Sequence, residues 1–188
     1  MSHSIHILGE QLFLKNAQNA LQDMAKKTAN DPDFNKNNFQ WGTIVIISCS
    51  FAVEATANGI LQQIPLAIKI FDELRIKSKI EFIFALKNQS ISWGEKPYQS
   101  MANLLHLRNR LVHFKKSRQK GLVNPDMEWA ESPDVNENIL DAFSLTHCTN
   151  LYKDTIQVIL DMMYVSDLFS DYTIDQITTE KFEPYILY

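Results

Sequence analysis

The stretch "TIVIISCSFAVEATANGI", residues 43–60, decides the fold. Its first five residues, Thr43 to Ile47, are β-branched and suit a buried strand. The apolar pattern, however, continues past Ala57, and no turn signal interrupts the run up to that point. A strand of that length would need a turn, so residues 42–63 are expected to be a helix. One glutamate, Glu54, stands in this apolar segment, with Asn58 one turn further on. The segment also holds two serines. It falls short of the roughly 18 clean apolar residues that a membrane span requires, and no membrane association is expected.

Helical spacing recurs on either side. Ile5, Leu8, Leu12, Ala17, Leu21 and Met24 mark a helix over 5–29. "NDPDFNKNN", 30–38, reads as a loop. Pro65 precedes a helix over about 66–87, and "KNQSISWGEKPYQS" is the loop after it. Helices are also expected over about 97–117 and 136–165. A long loop, "QKGLVNPDMEWAESPDV", separates those two. The chain then ends in an acidic and aromatic segment, 166–188, expected to pack as a tail or a short helix. Five helices without a strand pair indicate an all-α, up-and-down bundle, one domain over 1–165 with a C-terminal tail.

Composition agrees with that reading. The 188 residues are 45% hydrophobic, enough for a core, and five glycines with six prolines leave room for long helices. A net charge of -4 gives no global sign of nucleic-acid binding, so such a partner would need a local basic patch. Cys49 and Cys148 have no metal-binding spacing and read as two buried thiols in a reducing, cytoplasmic compartment. The N-terminus lacks the basic and long apolar regions of a signal peptide.

The helix over 97–117 carries an anomaly. Leu104, Leu107, Leu111 and Phe114 follow 3-4-3 spacing, and Met101, Leu105 and Val112 widen the stripe. At about 100° per residue, Arg108 falls inside that face, whereas His106, Asn109 and His113 fall on the polar side. A guanidinium among leucines is costly unless paired. The natural partner is Glu54, with Asn58 able to add a hydrogen bond. His106 and His113, seven apart with no acidic partner between, do not make a metal site. No cofactor is expected either. After His113 comes the densest basic run of the chain, "FKKSRQK", with Lys115, Lys116, Arg118 and Lys120. Together with Arg110 it favours a phosphate-bearing ligand.

"RNRLVHF", 108–114, resembles the R-x4-6-H signature of the HEPN superfamily. "YQSMANLLHLRNRLVHF" is similar to the helix that carries the signature, and "SFAVEATANGIL" is similar to an earlier family helix with a recurring glutamate and asparagine. The resemblance spans roughly 42–165. It implies a homodimeric helical bundle whose two motifs meet in one cleft. It also implies a metal-independent endoribonuclease, of the kind found among toxins and phage-defence effectors, with RNA as substrate and a cognate antitoxin or inhibitor as a further partner. Arg108 would contact the scissile phosphate, His113 would move the proton of the attacking ribose hydroxyl, and Asn109 would position one of them. Members paired with a nucleotidyltransferase antitoxin often carry a tyrosine two residues after the histidine. Lys115 stands there, which argues against that regulation. The competing expectation is a non-catalytic interaction or nucleotide- or RNA-binding module, in which Arg108 and Glu54 are a structural pair.

Overall fold

The structure is a computed structural model that describes residues 7–30, 39–64, 71, 73–112 and 141–166. Five helices are laid out along these residues: α1, Ile7–Asn30; α2, Phe39–Gln62; α3, Ile76–Ala85; α4, Tyr98–Val112; and α5, Leu145–Ser166. No described residue lies in a strand. The protein is an all-α bundle, and the β-branched run at 43–47 lies inside α2. His113, the basic run 115–120 and the tail 167–188 lie outside the described residues.

α2 is the central element and packs against each of the other four helices. Twelve of its residues are buried, from Gly42 to Leu61. It is the one described helix long and apolar enough to cross a membrane, and 61% of its apolar window is buried inside the bundle. That burial is what a core helix shows. Gly42 marks the closest approach. A Cβ there would stand 2.8 Å from Phe143 Cδ1 and 3.0 Å from the Phe143 Cα. The missing side chain therefore lets residue 143 lie against the first turn of α2, where Phe39 and Phe143 also bring their rings to 4.7 Å.

Three details differ from the sequence reading. The helix expected over 66–87 is broken, because Arg75 is extended (φ -66°, ψ 151°) and α3 begins at Ile76. In one straight helix residues 71 and 82 would stand about 16 Å apart. The break brings the Phe71 and Phe82 rings to 4.9 Å, so aromatic packing accompanies the lost helical turn. The helix expected over 136–165 is interrupted at 142–144, and α5 begins at Leu145. Ser144 caps it, its hydroxyl accepting a bond from the His147 N–H at 3.3 Å, the role for which serine is favoured at a helix start. Finally, Leu12, placed on the apolar stripe of α1 by spacing, is 60% exposed. The buried face runs through Leu14, Ala17, Leu21 and Met24. "LFL" at 12–14 offers three apolar residues in a row, and the stripe takes its phase from the third.

The end of α3 is closed by two hydrogen bonds, Asn88 N–H to Ala85 O and Gln89 N–H to Phe84 O. Asn88 adopts the left-handed conformation, φ 54°, which asparagine tolerates at such helix ends. The following loop is anchored by Trp93. Its indole N–H donates to Glu81 at 2.8 Å, and Lys77 sits over its ring. α4 is then held to α5 by two polar ties: Tyr98 Oη donates to Asp161 at 2.8 Å, and Ser100 Oγ donates to Asp154 at 2.5 Å.

Candidate functional site on the Arg108 helix

α4 buries Met101 and Leu104, with Leu105, Leu107 and Leu111 packed against the core. That face is fixed by the 3-4-3 spacing and by the two ties to α5. It turns Arg108 toward α2 at the border of core and solvent. His106, Asn109 and Arg110 are exposed. Arg110 lies in the last turn of the helix, where a cation also complements the helix dipole.

Arg108 and Glu54 face each other with 4.0 Å between Nη2 and Oε2, and their side chains are 23% and 31% exposed. The pair is a loose ion pair at the rim of the core rather than a sealed one. At that distance it is not a hydrogen bond. Nη1 donates to Asn109 Oδ1 at 3.2 Å. Nε is buried and has no acceptor. The guanidinium carbon lies 6.0 Å from the centroid of Phe51, and Phe51 in turn meets Phe13 at 5.3 Å.

Asn58 does not turn to Arg108. Its Oδ1 accepts a hydrogen bond from Lys79 Nζ at 2.7 Å. Lys79 is 4% exposed, and among the described residues no carboxylate lies within ion-pair distance of it. Phe51, Glu54 and Asn58 form one stripe of α2, at i, i+3 and i+7. Arg108 from α4 meets the upper part of that stripe, and Lys79 from α3 meets the lower. Two cations therefore share a row that contains one carboxylate. Such a row favours an anion near its open end, where Arg108 lies.

Sequence reading missed Lys79, Phe51 and Phe13. Lys79 was detectable, since Ile76, Lys79, Ile80 and Ile83 repeat the spacing that singled out Arg108. Phe51 and Phe13 were not, because an aromatic on an apolar stripe carries no mark of what it faces. Among the described residues no group of three or more His, Cys, Asp and Glu side chains converges on a point.

Away from this row, the thiols are deeply buried and free. Burial pushes Cys49 up to about 12, with Thr155 opposing and Cys148 adding to the rise. Burial likewise pushes Cys148 up to about 12. Both are protonated and inert at neutral pH, since the thiolate is the nucleophile. No family model, no curated protein and no solved structure matches the chain.

Proposed function

We propose that the chain is a metal-independent endoribonuclease of the HEPN type, a cytoplasmic toxin or phage-defence effector that works as a homodimer. The observation that carries this reading is the state of Arg108. It is held at the rim of the core, 4.0 Å from its carboxylate partner and without a hydrogen bond to it. A guanidinium meant only for structure would be expected to saturate its donors on Glu54, because unpaired buried donors are costly. Arg108 instead keeps donor capacity toward solvent, next to Asn109, in the "RNRLVH" form of the motif. A guanidinium in that state suits charge developing on a phosphate.

In this reading His113 transfers the proton of the ribose 2′-hydroxyl as it attacks the adjacent phosphate. The 5′-oxygen of the next nucleotide leaves with a proton, and a 2′,3′-cyclic phosphate remains. Imidazole suits the task because it titrates near neutral pH. Residues five apart on a helix point about 140° apart, so Arg108 of one protomer works best with His113 of a second copy. Lys115, Lys116, Arg118, Lys120 and Arg110 would bind backbone phosphates, giving affinity that falls with salt. Unpaired segments are the expected substrate, because A-form helices hide their base edges.

The test is incubation of the purified protein with RNA in excess EDTA, beside His113→Ala and Arg108→Lys. Cleavage in wild type, lost in both variants, is expected. Abolition by EDTA, or survival in His113→Ala, overturns the mechanism. A second reading has one observation in its favour. Arg108 lies against Phe51 as well as Glu54, as a purely structural arginine would. A non-catalytic RNA-binding or interaction module then predicts RNA retention without cleavage, and equal growth of cells expressing wild type or His113→Ala.

A further inference from the structure

We infer that Phe51, seated by Phe13, positions Arg108 by holding the face of its guanidinium, so that the Nη edge is left for the phosphate. The proposal rests on the reading of Arg108 as the phosphate contact and adds a residue to it.

The inference comes from assigning each edge of one planar group. Nε is buried without an acceptor, so that edge is closed to any ligand. Among the described residues Nη1 has a single grip, a 3.2 Å bond to the exposed Asn109 next to it in sequence. Nη2 is 4.0 Å from Glu54. Neither grip is strong enough to fix a long, rotatable side chain that is partly solvated. What remains is the face. The guanidinium carbon stands 6.0 Å from the Phe51 centroid, at the outer limit of cation–π attraction. The Phe51 ring is itself held, meeting Phe13 at 5.3 Å with the planes tilted by 46°. Phe13 belongs to α1, Phe51 to α2 and Arg108 to α4. A stack across three helices is anchored by the bundle itself, whereas Asn109 and Glu54 hold only the ends of the group.

The division has a chemical consequence. Asn109 and Glu54 occupy the same edge that a phosphate must use, and the anionic oxygens of a phosphodiester, held by charge-assisted hydrogen bonds, outcompete a neutral amide and a distant carboxylate. Phe51 does not compete, since a ring face offers nothing to the Nη edge. Binding can therefore strip the two edge partners without releasing the side chain. Arg108 is preorganised by an apolar contact and pays little to reorient.

The experiment uses full-length protein labelled at arginine nitrogen, with the Arg108 Nε–Hε signal assigned by its loss in Arg108→Lys. In wild type this signal is expected to be displaced from that of free arginine by the ring and to exchange slowly with water. Phe51→Leu, or Phe51→Met if the first variant folds poorly, moves it to the free-arginine position, and Phe51→Tyr returns it. In RNA cleavage the same Leu or Met variant lowers kcat about tenfold with KM changed less, and Tyr restores most of the loss. A signal unmoved by Phe51→Leu and by Phe51→Met overturns the stack. A signal that moves while kcat stays constant overturns the positioning role. If the signal behaves as expected but wild type does not cleave RNA, the stack stands and the nuclease reading falls.

Discussion

Arg108 and Lys79 show how differently two cations on apolar stripes are accommodated. Arg108 reaches the rim, where water and Phe51 share its desolvation, so its removal is cheap. Arg108→Ala is expected to lower stability by about 1 kcal/mol, the sum of a loose, partly exposed ion pair and one ring contact. Chemical denaturation of the two proteins checks this, and a loss of several kcal/mol would mean a sealed pair. Lys79 cannot reach water so easily, and among the described residues Asn58 is the acceptor it has. Asn58→Ala therefore leaves an ammonium unsatisfied and is expected to cost about 3 kcal/mol. Lys79→Met together with Asn58→Ala removes the problem and recovers most of that loss. A double-mutant cycle measures the coupling, and strictly additive effects would refute the pairing.

At the scale of helices, α2 is organised by what it excludes. Ala52 and Ala57 are fully buried, and at Gly42 a neighbour approaches so closely that no side chain fits. Gly42→Ala is expected to destabilise the bundle by about 1–3 kcal/mol, despite alanine's better helix propensity, because the added carbon meets the Phe143 ring, Cβ and Cα together, so that turning the ring alone does not clear it. Equal or higher melting temperature for the variant would show that the 142–144 turn gives way. α4, the helix that presents Arg108, is placed by the ties of Tyr98 and Ser100 to α5 rather than by its own propensity. Burial, with Asp161 as hydrogen-bond partner and nearby charge, drives the Tyr98 hydroxyl well above its ordinary range, so this tie keeps its proton at physiological pH.

The whole molecule carries its pH dependence in its core. Cys49 and Cys148 rise from 9.0 to about 12, and Tyr152 rises from 10.0 to about 12, each chiefly through burial. The folded state holds these protons more tightly than the unfolded chain. Their contribution is complete below the unfolded values and is lost as pH climbs from about 9 toward about 12. Stability is expected to fall throughout that window, with Tyr152 joining the two thiols above about 10, by on the order of 1 kcal/mol per pH unit for each group. His147 works at the other end. Burial lowers it from 6.5, against Asp141 nearby, so stability declines as pH falls below that value. Denaturation midpoints at pH 7, 9 and 10.5 test the alkaline limb, and a flat profile from 9 upward would contradict the burial of the thiols. In the native state neither thiol is expected to react with an alkylating reagent at pH 8.

The sequence by itself determined the helical class, three of the five helix positions to within a few residues, and the oddity of Arg108. These are local or periodic properties, and the 3-4-3 spacing of apolar residues reports them directly. It also put Glu54 opposite Arg108, because α2 offered one carboxylate to one stranded cation. The tertiary structure decided the rest. It broke the helix at Arg75 so that Phe71 could meet Phe82, chose Leu14 over Leu12 as the inward residue of α1, and gave Asn58 to Lys79 instead of to Arg108. It also laid Phe51 beneath the guanidinium. Each of these depends on which of several locally equivalent residues faces a neighbour distant in sequence. Periodicity assigns a residue to a stripe, but only packing between helices decides what that stripe meets.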